Sequence, residues 1–382
     1  MPTREELELL RALPLDVKVW KTEQRIREFV EHFGEDGVCV SFSGGKDSTV
    51  LLHLVRRLYP NVKAVYSDTG LEYPEIRNFV KTFDNVDWVK PKMTFGEIVT
   101  KYGYPLFSKE TSNIIYYARK FDGKSKIKMR DELLGERQTS ARRKKLLGEL
   151  LADVHEQSIF NKQKYLIACQ QLPFIIGSNC CHVMKKQPMN IYQHQKCVKP
   201  IIGTLTEESM MRTQGWLKTG CNSFDGKVMS KPLSFWTEQD ILRYIKDNGI
   251  EICSVYGDIV AEDANGCQYA DTLLPCGKLK CTGCDRTGCM YCAYGAWNEH
   301  KRFGKSRFER LAETHPKVYD FVLRGGKWID NPHYDATAPK IDPVDGWENW
   351  NPKQIWVPGN GGLGMKFVFD EVNKLYNDYI RY

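Results

Sequence analysis

Residues 38–48 read VCVSFSGGKDS, and the helical pattern TVLLHLVRRL follows directly. A short apolar run thus ends in Ser43-Gly44-Gly45-Lys46-Asp47-Ser48 at the mouth of a helix. Gly44 and Gly45 remove the Cβ atoms that would hold backbone N–H groups away from an anion. The helix start adds unpaired N–H donors and the positive end of its dipole. Lys46 supplies a point charge, and Ser43 and Ser48 supply hydroxyls. Asp47 is out of place beside a phosphate unless a divalent cation is present, for which its hard oxygen is a suitable ligand. A strand-to-helix turn can hold two glycines with no ligand at all, but Ser, Lys and Asp together favour a nucleotide phosphate. The spacing GxxxxGK followed by Ser or Thr is absent, which argues against a standard P-loop NTPase.

Working outward from this turn, strands and helices alternate. The pattern predicts a strand at 38–43, a helix to Leu58, a strand at 62–67, a helix from Pro74, a strand at 86–90 and a helix at 95–102. Further strands are expected near Tyr165 to Cys169 and Lys199 to Thr204. That order predicts an α/β fold, a parallel sheet flanked by helices with right-handed crossovers. At 382 residues and 42% hydrophobic content, the chain can bury one large core and a smaller appendage. We expect N-terminal helices over 1–33, a nucleotide-binding domain over 34–255 with a basic helical insert at about 110–160, and a Cys-rich metal region with a helical tail over 256–382.

A second strand and its turn belong to the expected site. VKAVYSDTGLEYPE (62–75) reads as a buried strand ending in Asp68-Thr69-Gly70, then a helix opened by Pro74. In an open parallel sheet such a turn lies beside the phosphate loop, so Asp68 would meet ribose or a metal, or else cap the helix. Glu208 and Arg212 offer an acidic group and a planar fork suited to phosphate or sulfate oxygens. They also fit an ordinary i, i+4 helix pair. Residues 231–250, KPLSFWTEQDILRYIKDNGI, read as an amphipathic packing helix introduced by Thr237.

Cysteine marks a second centre. The chain has 13 Cys, no apolar secretory stretch at its N-terminus and no run long enough to cross a membrane. A reducing cytoplasm is therefore the expected home, and disulfides are not expected. Cys281, Cys284, Cys289 and Cys292 form CxxCx4CxxC in CTGCDRTGCMYC, a density that points to metal. Cys39, Cys169 and Cys253 sit in apolar runs and read as inert packing. Spacing alone leaves zinc and iron–sulfur both open.

SGGKDS resembles the PP-loop of the ATP pyrophosphatase superfamily, and Asp68-Thr69-Gly70 with Tyr73-Pro74-Glu75 resembles the DTGxxFPET segment of its phosphoadenosine phosphosulfate (PAPS) reductase-like members. GTLTEESMMRTQGW (203–216) resembles a further segment of that family, placing Glu208, Ser209 and Arg212 near the nucleotide. The resemblance implies an adenine nucleotide, ATP or a sulfonucleotide (PAPS or adenylyl sulfate), with Mg²⁺. Ser43, Gly44, Gly45, Lys46, Asp47, Ser48, Asp68, Thr69, Gly70 and Glu208 would bind it, and Lys46, Asp47 and Arg212 would act in the reaction. Cys180-Cys181 in NCCHVMKKQP is similar to the CCxxRKxxP of adenylyl-sulfate reductases. It implies one [4Fe-4S] cluster on Cys180, Cys181, Cys289 and Cys292, with Cys284 competing for a place and Zn²⁺ as the alternative.

One departure divides the functional readings. Reductases of this family attack with a cysteine in a C-terminal ECGLH-type tail, whereas no Cys follows Cys292 here. The leading expectation is therefore an enzyme that adenylates a substrate for sulfur transfer. A genuine PAPS or adenylyl-sulfate reductase and a nucleotide-sensing protein without turnover are the alternatives. Charge suggests the acceptor: the chain is +7, and residues 114–146 hold 11 Lys or Arg against 4 Asp or Glu, interleaved with Tyr116, Tyr117 and Phe121. That composition suits nucleic-acid contact and equally a solvated helix. A protein partner or a second copy completes the expected partners, with no membrane. Gly359, Gly361 and Gly364 spell GxGxxG, but only 18 residues follow Gly364, too few for a dinucleotide unit.

Overall fold

A computed structural model describes residues 2–118, 172–261, 278–284, 286–337, 350–376 and 379–382. Almost all of the basic insert, the strand expected at Tyr165 to Cys169, and Cys169 lie outside the described residues. The described chain divides into two compact units, one of Met1–Lys92 with Met184–Cys289 and one of Met93–Val183 with Met290–Tyr382. Tertiary contacts thus interleave segments that are distant along the chain.

The first unit is built on a six-stranded sheet. Its strands are β1 (Val38–Ser41), β2 (Ala64–Ser67), β3 (Val86–Val89), β4 (Lys199–Ile202), β5 (Asn222–Ser223) and β6 (Met229–Ser230), in the order β3-β2-β1-β4-β6-β5. Every pairing is parallel except β5 with β6. Val38, Cys39 and Val40 are all buried, as a central strand covered on both faces requires. β1 and β3 end sooner than their apolar runs predict, at Ser41 and Val89, where the chain turns out of the ladder into loops, and β2 begins two residues later than its run, at Ala64. The chain leaves β1 toward β2 and β3 on one side and returns to β4 on the other. β1 and β4 therefore flank a topological switch point, where open α/β sheets receive ligands.

Helices Arg4–Arg11 and Leu15–Phe33 join this core through Leu7, Ile26, Phe29 and Val30. Helix Lys46–Leu58 buries Val50, Leu51, Leu54 and Val55. Helix Glu238–Asp247 begins at Thr237, as its sequence predicts: the Thr237 hydroxyl accepts the Asp240 N–H, and the Asp240 carboxylate accepts the Thr237 N–H. Lys18, 2% exposed, reaches the same carboxylate at 2.6 Å.

The second unit contains helices Phe95–Tyr102, Lys109–Ala118, Ala296–Phe303, Arg307–Thr314, Pro316–Leu323 and Met365–Tyr376. An antiparallel pair, Lys327–Asp330 with Gln354–Val357, joins them. Phe308 and Phe369, ring centroids 4.8 Å apart, are fully buried at its centre. The GxGxxG glycines form the loop between the second strand of that pair and the last helix, closed by the Gly359 N–H donating to Gly362 O at 3.1 Å. Among the described residues no helix is long and apolar enough to cross a membrane.

Candidate nucleotide site and thiol groups

The turn after β1 has the geometry that its residues predict. Gly44 takes φ +70°, a conformation that L side chains rarely adopt, and so folds the chain back onto Ile76 and Val80. Gly45 is the N-cap of helix Lys46–Leu58 with no side-chain capping bond, leaving the helix mouth to the loop itself. Its N–H donates to Ser43 Oγ at 3.3 Å, and Ser43 Oγ lies 3.0 Å from Ser48 Oγ. Ser48 Oγ accepts the Ser43 N–H at 3.2 Å and donates to Gly45 O at 2.8 Å. Two serines thereby lock a loop whose glycines permit close approach.

The charges around the loop are mixed. Lys46 is 4% exposed, and its ammonium lies 3.0 Å from Glu238 and 3.6 Å from Asp47. Burial opposes that charge, yet the attraction of Asp47 and Glu238 outweighs it and raises the Lys46 pKa, so the ammonium stays protonated. Asp47 moves upward mainly through burial and is held back by Lys46, while Glu238 adds to the rise and Arg286 opposes it. Asp47 Oδ1 is buried and accepts no hydrogen bond, the Lys46 ammonium being too distant to donate. Glu208 pairs with Arg212, as the i, i+4 spacing predicts, and also lies 3.6 Å from Arg286. Three cations and three carboxylates therefore surround the loop, a set able to receive an anion together with a cation.

A cavity of about 170 Å³ opens at the carboxyl ends of β1 and β2. Ser41, Ser43, Tyr66, Ser67, Glu72 and Thr287 are among its lining residues. The Tyr66 hydroxyl is buried there with no hydrogen-bond partner. Asp68, expected to meet a ligand or cap a helix, is 5% exposed and holds Arg77 at 2.9 Å. The following helix, Pro74–Val80, is capped instead by the backbone of Tyr73. The Thr69 hydroxyl donates to Glu72, and Gly70 takes φ +73° to complete the turn. Lys185 reaches Glu72 at 3.1 Å.

Sequence reasoning missed Glu238, Tyr256, Arg286 and Thr287 at this loop. Arg286 and Thr287 stand inside the Cys-rich run, where a cation and a hydroxyl between cysteines were the available signal. Tyr256, 2% exposed, carries no local motif.

The expected metal ligands fall in both units. Cys284 and Cys289 belong to the first, and Cys180, Cys181 and Cys292 to the second. Among the described residues no three His, Cys, Asp or Glu side chains stand close enough to enclose an ion. In the second unit, burial pushes the Tyr294 phenol up, and Cys180, Cys292 and Cys181 each push it further, so all three thiols lie within electrostatic reach of one ring. Thiolates are the right donor type for zinc or iron–sulfur. Cys39 is fully buried in the core, and burial, with Asp87 nearby, pushes its thiol up to about 12.

A mostly parallel sheet with a serine-locked glycine loop at its switch point defines an open α/β fold of the kind that receives ligands at that point. The sequence model of the phosphoadenosine phosphosulfate reductase domain matches residues 37–145 and 151–294, and the chain belongs to that family. The phosphoadenosine 5'-phosphosulfate reductase of Xylella fastidiosa is 33% identical over 82 residues, 22% of this chain and 34% of that protein. The chain thus spans about a third of the length of this curated relative. Two solved structures are also similar. The PAPS reductase from Candida auris in its phosphate complex superposes with TM-score 0.31 at 12% identity, covering 66% of this chain and 91% of that one. The U34-tRNA thiolase NcsA from Methanococcus maripaludis with its [4Fe-4S] cluster superposes with TM-score 0.30 at 13% identity, covering 86% and 88%.

Proposed function

We propose that this chain is an enzyme that binds an adenine nucleotide at Ser43 to Ser48 and adenylates an acceptor for sulfur transfer, releasing pyrophosphate. The observation that carries this reading is the buried Asp47 Oδ1, which accepts no hydrogen bond, beside the glycine loop. A carboxylate in that position suits a divalent cation that accompanies a triphosphate, and Asp47 would hold Mg²⁺ there. When bound, such a cation neutralises charge on the phosphate oxygens. The chain's own part is positional and electrostatic. The ammonium of Lys46 and the positive end of the helix dipole face charge that grows on the departing pyrophosphate. Arg212, tied to Glu208, supplies a second cation at the edge of the loop, and Ser43 and Ser48 keep the loop in shape. Asp68, Thr69 and Gly70 close the neighbouring turn, where a ribose would lie.

On donor type and on resemblance, Cys180, Cys181, Cys289 and Cys292, with Cys284 in competition, are the proposed thiolate donors to a metal. A nucleic acid is the proposed acceptor, supported by the basic composition of 114–146, and a protein partner or a second copy belongs to the same reading. A cytoplasmic location accords with its 13 cysteines. The second reading, reduction of a sulfonucleotide, is favoured by the identity shared with the Xylella fastidiosa reductase. Pyrophosphate release from ATP, measured for the wild type, Lys46→Ala and Asp47→Ala, tests the first. Loss of release by at least tenfold in both variants is expected, and equal release from all three removes the roles given to these residues. Sulfite release from PAPS or adenylyl sulfate with a dithiol, in the absence of pyrophosphate release, replaces the first reading with the second. Tight nucleotide binding with neither product leaves the sensing protein.

A further inference from the structure

The segment that carries the clustered cysteines also reaches the anion loop. Thr282, Gly283 and Cys284 are laced to residues 255–258: the Thr282 N–H donates to Asp258 O at 2.9 Å, the Gly283 N–H to Tyr256 O at 2.9 Å and the Cys284 N–H to Val255 O at 2.8 Å. Gly283 has no room for a side chain, since a Cβ there would stand 2.3 Å from Val255 O. This seam holds Tyr256 and Thr287 against the loop. Lys46 N–H donates to Tyr256 Oη at 3.2 Å, and Tyr256 Oη lies 2.7 Å from Thr287 Oγ1. A Cβ on Gly45 would stand 3.2 Å from Tyr256 Oη and 3.4 Å from Thr287 Oγ1, so both hydroxyls lie at the loop's mouth.

The direction of these bonds follows from the inventory of donors. Tyr256 Oη already accepts from Lys46, and among the described residues its own proton has one neighbouring acceptor, Thr287 Oγ1. Burial raises the Tyr256 pKa, so the proton is retained. With Tyr256 as the donor of that bond, Thr287 accepts from it and keeps its own proton to donate elsewhere. Thr287 lines the cavity at the ends of β1 and β2, together with Ser43 and Tyr66. The Tyr66 hydroxyl, in a residue only 1% exposed and without a partner, is a second polar group lining the cavity and awaiting one. Hydrogen bonds in series polarise one another, and the first donor here stands in the first turn of a helix, at the positive end of its dipole.

We propose that Lys46 N–H, Tyr256 and Thr287 form a hydroxyl relay that carries the polarity of the helix start into the cavity, making Thr287 a recognition residue for a phosphate or sulfonate oxygen of the bound nucleotide. The proposal rests on the nucleotide reading above and adds two residues to it. The Cys-rich run then serves the nucleotide site through its hydroxyl as well as holding thiols.

Titration calorimetry with ATP and with inorganic pyrophosphate, on the full chain, tests it. Thr287→Val keeps the shape and removes the donor, Thr287→Ser keeps the donor, and Tyr256→Phe removes the middle of the relay. Thr287→Val and Tyr256→Phe should each weaken binding about five- to twentyfold, Thr287→Ser less than twofold, and the double variant no more than the worse single one, because the hydroxyls act in series. Thermal unfolding of each variant accompanies the titrations. Thr287→Val differs from the wild type by one hydroxyl for a methyl, so it keeps the test intact should Tyr256→Phe fail to fold. Wild-type affinity in Thr287→Val, equal loss in Thr287→Ser and Thr287→Val, or multiplicative losses in the double variant overturn the relay while the nucleotide reading stands. No binding of either ligand by the wild type overturns the nucleotide reading itself, and the relay with it.

Discussion

Gly44 and Gly45 adjoin in sequence, yet their replacement by alanine should injure different properties. Gly44 has φ +70°, and a Cβ there would stand 2.8 Å from Val80 Cγ2 and 2.9 Å from Ile76 Cγ2. Both neighbours are β-branched, sit in helix Pro74–Val80 and are 0% and 1% exposed, so neither can swing aside. The left-handed backbone costs an L residue about 1–2 kcal/mol. Forcing a methyl into a packed core adds about 1–3 kcal/mol. Gly44→Ala should therefore lose about 2–5 kcal/mol, which for a unit of this size lowers the thermal midpoint by roughly 5–15 °C. Gly45 has φ −80°, which any residue adopts, and its Cβ would meet only hydroxyl oxygens, at 3.2 to 3.4 Å. Gly45→Ala should shift the midpoint by less than about 2 °C while the new methyl, in the mouth of the loop, weakens pyrophosphate binding about tenfold or more. Differential scanning calorimetry and titration calorimetry on both variants separate the two effects. Gly44→Ala unfolding together with the wild type, or Gly45→Ala proving the less stable of the pair, would falsify the account of the turn.

Two other expectations concern stability. Lys18→Ala breaks a buried ion pair and leaves Asp240 with its Thr237 bonds alone, costing about 3 kcal/mol; the midpoint should fall by roughly 6–12 °C, and an unchanged midpoint contradicts the role given to the pair. Asp87 is held below the usual carboxylate range: burial opposes this, but the Tyr192 hydroxyl at 2.7 Å and the Lys63 ammonium at 3.2 Å prevail. A carboxylate depressed in the folded state stabilises it in full above the unfolded value near 4 and ceases to do so as pH falls through the lower folded value. The midpoint gap between the wild type and Asp87→Asn, measured at about pH 7, should therefore close below about pH 4, and a gap that persists there contradicts the assignment.

The sequence alone established the alternation of strands and helices up to Tyr102, the glycine turn after the first strand, the helix introduced by Thr237 and the family. Each of these rests on interactions between residues close in the chain: period, capping, and glycine where the backbone must turn left. The strand pair Asn222–Ser223 and Met229–Ser230 escaped the sequence reading because two-residue strands have no periodicity to detect. Asp68 could be placed at a strand end by pattern, but its partner Arg77 depended on how the next helix is oriented. Tertiary structure alone decided that Lys46 meets Glu238, that Arg286 joins Glu208, and that Tyr256 and Thr287 close over the loop from more than 200 residues away. Those neighbours are set by the order in which strands pair and by a seam of backbone hydrogen bonds, and backbone groups are the same in every residue, so no side-chain pattern announces them.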